Sequence, residues 1–402
     1  MSGIVIVGAG QAGASMAARL RSLGYDGALT LIGAEAAPPY QRPPLSKGYL
    51  LGETSLERLY LRAPSFWAEQ DVDLKLGKAA TAILPGEKTL MVGDERLVYD
   101  QLALTTGSVP RRLPAAIGGA LKGVYTVRTL QDVDDMAAEF QPGRRLLVIG
   151  GGYIGLEAAA VGAKLGLRVT LVEMADRILQ RVAAAETSDY FRALHQSHGV
   201  DIREGTGLSK LTGDGRVDGA ILSDGSSLAT DFVIVGVGIA PDTALAEAAG
   251  LSIENGIRTD AFGRSSDPSI WAAGDCASFP HQGGRIRLES VGNAIDQAEI
   301  VAANMLGAET PYAARPWFWS DQYDVKLQIA GLNAGYDRIV TRRGDDGAVS
   351  FWYYRGATLL ALDAMNDARS YMVGKRLIET GKSPDPAIIA DSTADLKPLL
   401  RP

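Results

Sequence analysis

The chain has 402 residues, 46% of them hydrophobic and 22% charged, a balance that fits a globular protein of two or three domains. Its formal net charge of −7 argues against nucleic acid as the main partner. Cys276 is the only cysteine, which excludes an internal disulfide and a thiol pair for redox relay and favours a cytoplasmic location.

No segment has the pattern of a signal peptide or a membrane span. The apolar N-terminus is interrupted by glycines and has neither a basic leader nor a cleavage site. The most apolar later segment, residues 146–167, contains glycines and charged residues and fits a strand, a turn and a helix better than a membrane span. We therefore expect no membrane partner.

The first element is predicted to be a buried parallel strand over Ile4–Val7, because four apolar residues follow one another and all four are β-branched. The strand runs into a Gly-x-Gly-x-x-Gly turn, and residues 14–23 have helical composition. Gly8 allows a tight bend, Gly10 lets a pyrophosphate approach the backbone, and Gly13 lets helix and strand pack closely. The N–H groups at the start of the helix then hold the phosphates.

A second strand is predicted over residues 28–32, and Glu35 follows it. An acid placed about twenty residues after the glycines accepts hydrogen bonds from an adenosine ribose. Strand, glycines, helix, strand and acid in this order predict a dinucleotide site.

The next segment contains the adjacent prolines Pro43 and Pro44, which forbid a helix across that point and stiffen the backbone. Lys47 follows them. One interpretation is a rigid surface loop with a solvated lysine. The other is a wall against the ring of a cofactor, with Arg42 and Lys47 as fixed positive charges beside it.

The opening pattern occurs a second time. A strand over Arg145–Ile149 leads into the glycine turn of Gly150, Gly152 and Gly155, a helix is predicted over residues 156–165, and the strand Arg168–Val172 follows. Because the whole βαβ unit is repeated, a chance match is improbable.

Glu173 follows the last strand of the second unit, at the position of the acid that is expected to bind the ribose. Its carboxylate favours a free ribose 2′-hydroxyl and repels a 2′-phosphate, so we expect NADH to be preferred over NADPH. Arg177 lies nearby in the sequence and either softens this preference or is a solvated or phosphate-facing arginine.

Three further turns are expected at the nucleotide sites. The predicted strand over residues 102–106 ends in a Thr106-Gly107 turn, which we expect to touch the first dinucleotide. Gly238 closes a strand under the second site. Asp275 ends another strand, where it either meets ligand hydroxyls or caps a helix.

The chain changes character from residue 315 onward. Aromatic and β-branched residues alternate there in several short segments, and a helix is predicted over residues 368–380. This pattern is typical of a separate α+β domain with antiparallel strands.

These motifs together resemble the flavin-dependent ferredoxin reductases of the glutathione-reductase-like superfamily. The resemblance covers essentially the full length and is greatest to the putidaredoxin reductase type, which serves bacterial heme monooxygenases, and to the reductases of ring-hydroxylating dioxygenases. It rests on the two glycine fingerprints and on four other segments, which are residues 42–47, 106–107, 238–241 and 273–277.

The resemblance implies an α/β fold with two Rossmann-like dinucleotide-binding domains and a C-terminal α+β domain. We expect an FAD-binding domain of residues 1–111 and 245–314, an NADH-binding domain of residues 112–244, and an interface domain of residues 315–402.

By the same resemblance the first fingerprint holds FAD, with contacts from Gly8, Gly10, Ala12, Gly13, Thr106 and Gly107. Arg42, Pro43 and Lys47 would line the isoalloxazine, while Ala80 and Arg128 would lie at the adenosine end. Asp275 would bond the ribitol, Val291 the pyrimidine end of the ring, and Trp319 would cover the other approach to the flavin. Many relatives carry an acid where this chain has Ala34, so the ribose contact is moved to Glu35.

The second fingerprint would hold NADH through Gly150, Gly152, Tyr153, Ile154, Gly155, Glu157, Glu173 and Gly238. Lys47, paired with Glu157, would stabilise the reduced flavin electrostatically, and Glu157 would orient the nicotinamide. Hydride would pass from NADH to FAD, and electrons would leave singly to a 2Fe-2S ferredoxin. We expect a monomer or weak dimer, with Arg62, Arg287, Arg315 and Lys326 as candidates for steering an acidic ferredoxin.

Several alternatives stay open at this point. An NADH-sensing or NADH oxidase-like flavoprotein of the apoptosis-inducing-factor type shares the fold. Oxidases and peroxidases of the fold carry a redox cysteine where this chain has Ser46, and we interpret Cys276 as a small buried residue. His195 and His198 are spaced for a zinc site but have no further clustered ligand in the sequence.

Overall fold

The structure, a computed structural model, describes residues 3–401, which form two compact units. Unit 1 consists of residues 3–42, Ser55–Val109 and Ile239–Pro316. Unit 2 consists of Pro43–Thr54, Pro110–Gly238 and residues 317–401. The division into three domains expected from the sequence stays a prediction.

The strands, numbered in chain order, are mostly short. They are β1 (Ile4–Val7), β2 (Leu29–Gly33), β3 (Val72–Leu76), β4 (Ala80–Leu84), β5 (Thr89–Val92), β6 (Glu95–Val98), β7 (Gln101–Leu104), β8 (Ser108–Pro110), β9 (Val124–Tyr125), β10 (Arg145–Ile149), β11 (Arg168–Val172), β12 (Asp201–Arg203), β13 (Leu208–Thr212), β14 (Gly219–Leu222), β15 (Ser227–Ala229), β16 (Phe232–Val235), β17 (Ile239–Pro241), β18 (Ile257–Arg258), β19 (Ile270–Ala272), β20 (Ala277–His281), β21 (Gly284–Ile286), β22 (Trp317–Gln322), β23 (Val325–Gly331), β24 (Arg338–Arg343), β25 (Val349–Arg355) and β26 (Thr358–Met365).

The helices are likewise numbered along the chain. They are α1 (Gln11–Ser22), α2 (Leu56–Leu59), α3 (Pro64–Glu69), α4 (Leu130–Ala137), α5 (Tyr153–Lys164), α6 (Ala185–Ser197), α7 (Ala244–Ala248), α8 (Val291–Met305), α9 (Ala368–Glu379) and α10 (Pro386–Ala390), with short 3-10 turns at Pro43–Ser46, Pro85–Glu87, Ala115–Ile117 and Lys397–Leu400.

The main sheet of unit 1 is parallel and has the order β3-β2-β1-β7-β19. All four residues of β1 are buried, as a central strand covered on both faces requires. Strand β2, which follows β1 in the chain, pairs with one edge of β1, and β7 pairs with the other edge. The strand order therefore reverses beside the end of β1. Ligands of open α/β sheets bind at such a switch point.

Unit 2 contains a second parallel sheet of the same kind, with the order β12-β11-β10-β16-β9. Its central strand β10 leads into the second glycine turn and α5, just as β1 leads into α1. The two Rossmann-like units predicted from the sequence are therefore both present.

The C-terminal part of unit 2 is an antiparallel sheet with the order β22-β23-β26-β25-β24. Helix α9 packs on it, and Val373 and Leu377 share a core with Trp352 and Leu362 of the sheet. Gly374 lets the helix lie close to the sheet, because an added Cβ would lie 2.7 Å from a methyl carbon of Leu362. The α/β fold with a C-terminal α+β part is confirmed.

Small side chains let α1 and α8 approach closely in unit 1. Ala14 and Ala17 of α1 share one buried core with Ala298 and Ala302 of α8. This core anchors the helix that begins at the first glycine turn, so the position of that turn is fixed by packing.

Among residues 3–401, no helix combines the length and the apolar composition that crossing a membrane demands.

Candidate functional site

The first glycine turn is shaped by two glycines that cannot be replaced and one that leaves open space. A Cβ on Gly8, whose φ is +113°, would lie 2.2 Å from the carbonyl oxygen of Thr105. A Cβ on Gly13 would lie 2.0 Å from the carbonyl oxygen of Gly8. A Cβ on Gly10 would meet nothing within 4 Å. Packing therefore explains two of the glycines, and the third lines a space that a bound group can enter.

The second turn repeats this geometry in unit 2. A Cβ on Gly150, whose φ is +103°, would lie 2.5 Å from the carbonyl oxygen of Gly236, and one on Gly155 would lie 2.0 Å from that of Gly150. A Cβ on Gly152 would again meet nothing within 4 Å.

Both turns open helices whose N-termini lack a side-chain cap. Gly10 and Gly152 are the N-caps of α1 and α5, neither helix has a side-chain cap bond, and neither has an acid in its first turn. By contrast, Thr129 and Asp132 form a capping box at α4. Uncapped N–H groups at the positive end of a helix bind phosphate. The residues present therefore fit the pyrophosphate of a dinucleotide at each turn.

The residues predicted at the ribose end of the first site are paired with each other. Glu35 Oε1 accepts a hydrogen bond of 2.7 Å from Arg42 Nη2, and Tyr40 donates its hydroxyl to Glu35 Oε2 at 2.5 Å. Arg42 is thus paired with Glu35, the acid predicted to bind the ribose. Its assignment to the isoalloxazine stays a prediction. Ala80 begins β4 and packs against the neighbouring core of unit 1.

A cluster of hydrogen bonds fixes the turn after β7. Thr105, which the sequence did not single out, donates its hydroxyl to the carbonyl oxygens of Val7 at 3.0 Å and Gly8 at 2.9 Å. Thr106 donates to the carbonyl oxygen of Asp242 at 2.6 Å, and Gly107 has a φ of +74°. The position of Thr105 at the end of a central strand beside a glycine turn is the signal that identifies it.

Asp275 is not a helix cap, because the strand β20 follows it. Its carboxylate accepts a hydrogen bond of 2.9 Å from the hydroxyl of Ser108. Helix α8 begins at Val291 and is capped by the hydroxyl of Ser290. Cys276 is fully buried, and burial raises the pKa of its thiol, which agrees with a small core residue and disfavours a nucleophile.

Glu173 is bound to the backbone of the second glycine turn. Its two carboxylate oxygens accept hydrogen bonds from the N–H groups of Gly151 at 2.7 Å and Ala175 at 2.8 Å. Arg177 instead donates to the carbonyl oxygens of Ala183 at 2.9 Å and Ala184 at 3.2 Å. Its guanidinium serves the loop before α6, which removes it as a ready partner for a 2′-phosphate.

Tyr153 and Ile154 differ in their surroundings although both begin α5. Tyr153 packs on Phe318 with ring centroids 4.9 Å apart, and burial raises the pKa of its phenol well above the usual value. Its hydroxyl has no hydrogen-bond partner among the residues that the structure describes. Ile154 is 40% exposed. Arg128 precedes α4, and its backbone N–H donates to Asp132.

The acidic centre of unit 2 is Glu157, which is 4% exposed. Lys47 Nζ lies 2.9 Å from its Oε2 atom and also donates to the carbonyl oxygen of Pro43 at 3.3 Å. The hydroxyls of Ser46 and Ser320 each donate to Glu157 at 2.6 Å, to Oε2 and Oε1 respectively. Neither serine contact was identified from the sequence, because each serine is more than a hundred residues away from Glu157 along the chain.

Trp319 lies on β22, where it stacks on Trp317 with ring centroids 5.5 Å apart and an interplanar angle of 21°. Gly238 has a φ of +99°, and an added Cβ there would lie 3.5 Å from a guanidinium nitrogen of Arg181. Residues 3–401 hold no group of three or more His, Cys, Asp and Glu side chains placed to bind a metal.

The comparisons with known proteins agree with this geometry. Residues 2–298 match the family described as pyridine nucleotide-disulphide oxidoreductase, and residues 317–400 match the reductase C-terminal family. The chain belongs to the pyridine nucleotide-disulphide oxidoreductase family and carries the reductase C-terminal domain.

Within this family the chain is similar to ferredoxin reductases. It is 43% identical to the 5,5′-dehydrodivanillate O-demethylase ferredoxin reductase subunit of a Sphingobium species, over 98% of this chain and 97% of that protein. It is 40% identical to putidaredoxin reductase of Pseudomonas putida, over 99% and 96%. The resemblance predicted from the motifs is confirmed.

Solved structures agree in fold. The ferredoxin reductase for the CYP199A2 system of Rhodopseudomonas palustris has a TM-score of 0.96, with 38% identity over the full length of both chains. A covalent putidaredoxin reductase–putidaredoxin complex has a TM-score of 0.95 and 39% identity, over 99% of this chain and 98% of that chain.

Proposed function

We propose that this chain is an NADH-dependent ferredoxin reductase that holds FAD and passes electrons singly to a 2Fe-2S ferredoxin of a heme monooxygenase or a ring-hydroxylating dioxygenase. The observation that carries the proposal is the pair of complete dinucleotide turns, each with an open second glycine and an uncapped helix. The names of the relatives, together with the solved reductase–ferredoxin complex of one of them, support the ferredoxin as acceptor.

FAD supplies the redox chemistry when bound, since a flavin accepts a hydride and releases electrons one at a time. The chain contributes binding, orientation and charge. We assign FAD to the turn of Gly8, Gly10 and Gly13 in unit 1, and NADH to the turn of Gly150, Gly152 and Gly155 in unit 2.

Lys47 is proposed to supply fixed positive charge where negative charge develops. Its ammonium is held between Glu157 and the carbonyl oxygen of Pro43, so it does not have to reorient during the reaction. Preorganised charge of this kind stabilises a transition state at little reorganisation cost. No side chain is required as a nucleophile, which agrees with the buried position of Cys276.

The remaining assignments are proposals of the same kind. Ala12, Ala80, Arg128, Asp275 and Val291 would complete the FAD site, while Tyr153, Ile154, Glu173 and Gly238 would complete the NADH site. Trp319 would cover the flavin. We further propose a monomer or weak dimer that works in the cytoplasm, and light scattering coupled to gel filtration tests the oligomeric state.

The test of the proposed function is the prosthetic group. Purified protein is expected to be yellow, to carry one FAD per chain, and to lose the flavin absorbance on anaerobic addition of NADH. A correctly folded protein that remains colourless and takes up no FAD would contradict the proposal. Fast NADH-dependent reduction of ferricyanide distinguishes a reductase from an NADH-sensing protein, for which this rate should be poor.

A further inference from the structure

A continuous line of buried polar side chains leads away from Glu157 within unit 2. Ser320 and Gln322 lie two positions apart on β22, so their side chains share one face of the strand, and both are buried. Beyond them are His195, which is fully buried on α6, and Tyr323, which follows β22. Buried polar side chains therefore connect α6, β22 and α5.

Each contact in this line is a hydrogen bond of ordinary length. Ser320 Oγ lies 2.6 Å from Glu157 Oε1, and Gln322 Nε2 lies 3.1 Å from Ser320 Oγ. His195 Nε2 lies 2.8 Å from Gln322 Oε1, and the Tyr323 hydroxyl lies 3.2 Å from His195 Nδ1. The ring of His198 stacks on Tyr323 at 3.7 Å and closes the far end.

The chemistry of the groups gives the line a single direction. An ionised carboxylate can only accept hydrogen bonds, so the hydroxyl of Ser320 donates its one proton to Glu157. The oxygen of Ser320 must therefore accept a hydrogen bond from the amide N–H of Gln322. The amide oxygen of Gln322 then faces His195, so Nε2 of that histidine carries the proton. Nδ1 is left as the acceptor for the hydroxyl of Tyr323. Burial lowers the pKa of His195 to about 4, which keeps the ring neutral, as this arrangement requires.

We propose that Ser320, Gln322 and His195 are positioning residues for the Lys47–Glu157 pair: they form a one-way chain of donors that ends on Glu157 and fixes its carboxylate. The inference rests on the proposed function, because its effect is on hydride transfer from NADH. Hydrogen bonds in such a chain polarise one another, so the effect of each member reaches Glu157 through the next. Glu157 then holds the Lys47 ammonium in one place.

The first arm of the test measures hydride transfer in the FAD-loaded protein by anaerobic stopped flow. Ser320→Ala is expected to lower the limiting rate constant about tenfold, with the Kd for NADH changed less than about twofold. Ser320→Thr restores the hydroxyl and should recover most of the rate. Ser350→Ala is the matched control, since Ser350 is a buried, hydrogen-bonded serine of the same sheet that does not touch the line.

The second arm asks whether His195 acts through Ser320. His195→Phe removes the donor to Gln322 and should lower the rate constant of hydride transfer about threefold. His195→Gln keeps an amide N–H at this position and should leave the rate constant unchanged. In the double variant Ser320→Ala with His195→Phe, the loss should equal that of Ser320→Ala alone. Losses that multiply would show two independent structural effects and would overturn the proposal.

The third arm does not depend on turnover. Histidine labelled with 15N gives three side chains to resolve, and the His195→Gln variant assigns the signal of His195. At pH 7 and without NADH, His195 should be neutral with the proton on Nε2, and Ser320→Ala should disturb its signals more than Ser350→Ala does. A proton on Nδ1 would overturn the chain. If the unaltered protein does not transfer hydride, the proposed function fails, whereas failure of this arm alone overturns only the positioning chain.

Discussion

Glu173 shows how one side chain can serve both the local backbone and the choice of ligand. Its carboxylate accepts two backbone N–H groups, one of them from Gly151 in the second glycine turn. A negative charge is thereby held at the place where a nucleotide ribose is proposed to lie. Arg177 donates to carbonyl oxygens of the loop before α6 and not to Glu173.

The first prediction follows from this charge. Unaltered protein should have a kcat/KM for NADH at least about a hundredfold above that for NADPH, because a 2′-phosphate would face a carboxylate. Glu173→Gln removes the charge at nearly constant size and should narrow this ratio about tenfold, largely by improving NADPH. Glu173→Ala should also weaken the binding of NADH. Equal kcat/KM values for the two nucleotides in the unaltered protein would refute the assignment of Glu173.

His195 also carries a prediction, since its pKa of about 4 lies below the ordinary value of 6.5. Between these pH values the unfolded chain binds a proton that the folded chain does not, so the folded state loses stability as the pH falls. Asp363 acts in the opposite sense, because burial raises its pKa to about 6, and the folded state loses stability as the pH rises toward that value. The contribution of Asp363 cancels when the unaltered protein is compared with His195→Gln, because Asp363 is present in both proteins.

The expected result is a difference between two unfolding experiments. The free energy of unfolding of the unaltered protein minus that of His195→Gln should fall by about 2–3 kcal/mol between pH 7 and pH 4.5, which corresponds to the downward shift of the pKa. Denaturant titrations at the two pH values measure it. A difference that does not change with pH would mean that His195 has the same pKa in the folded and unfolded chains, and would contradict the downward shift.

At the scale of elements, each glycine turn contains glycines that the fold requires and one glycine that leaves space for a ligand. Gly8 and Gly13 are required by contacts with the backbone, whereas Gly10 has a φ of −87° and open space where a Cβ would point. Gly152 is equivalent, with a φ of −79°. Alanine at these two positions is therefore compatible with the fold, and its methyl group would occupy the space proposed for phosphate.

This difference gives a matched pair of variants. Gly10→Ala should fold normally, as judged by circular dichroism, but should be purified with less than about a tenth of the usual FAD. Gly152→Ala should retain FAD and raise the Kd for NADH at least about tenfold. If the two variants affect the two nucleotides equally, or if Gly10→Ala retains its flavin, the assignment of the turns is wrong.

The elements also show what could be predicted from the sequence. The two strand–glycine–helix units were predictable because their signal is local: an apolar run, three glycines at fixed spacing and an acid. The antiparallel C-terminal strands and α9 were predictable for the same reason. The start of α5 was predicted three residues late, since the third glycine of the fingerprint lies inside the helix and not before it.

Two features could not be predicted in this way. Helix α6 has mixed polar composition, and it was not predicted from the sequence. The side chains around Glu157 come from three separated segments, at Ser46, at α5 and at β22, and only tertiary packing within unit 2 brings them together. A serine gives no signal in a sequence when its partner is distant, so both serine contacts required the structure.

For the whole molecule, the net charge of −7 has to be reconciled with the approach of an acidic ferredoxin. Of the four cations expected to steer it, Arg62 and Lys326 are exposed, and Arg315 lies just before β22. Arg287 is ion-paired with Glu289 at 2.5 Å and its side chain is only 10% exposed, so it is poorly placed to attract a partner. Local positive charge steers association even when the net charge of a protein is negative.

The fourth prediction concerns Arg62, Arg315 and Lys326. Their combined reversal to glutamate should lower the rate of NADH-driven ferredoxin reduction at least about tenfold at low salt and leave ferricyanide reduction nearly unchanged. Salt at about 0.1 M should reproduce part of the loss in the unaltered protein, because screening acts over about 10 Å at that ionic strength. The matched control reverses Lys88, Lys210 and Arg338, which are exposed. An equal loss in the control would show that net charge, and not this set, controls the rate.

An anaerobic titration with NADH of the FAD-loaded protein, together with 2Fe-2S ferredoxins of monooxygenase and dioxygenase systems, tests most directly whether electrons pass from NADH through FAD to a ferredoxin. The flavin absorbance should fall first, and the cluster of at least one ferredoxin should then be reduced, with two ferredoxins reduced for each NADH. Ferredoxin reductase activity is ruled out if NADH leaves the flavin oxidised. It is also ruled out if the flavin is reduced but no ferredoxin is reduced faster than free FAD reduces it.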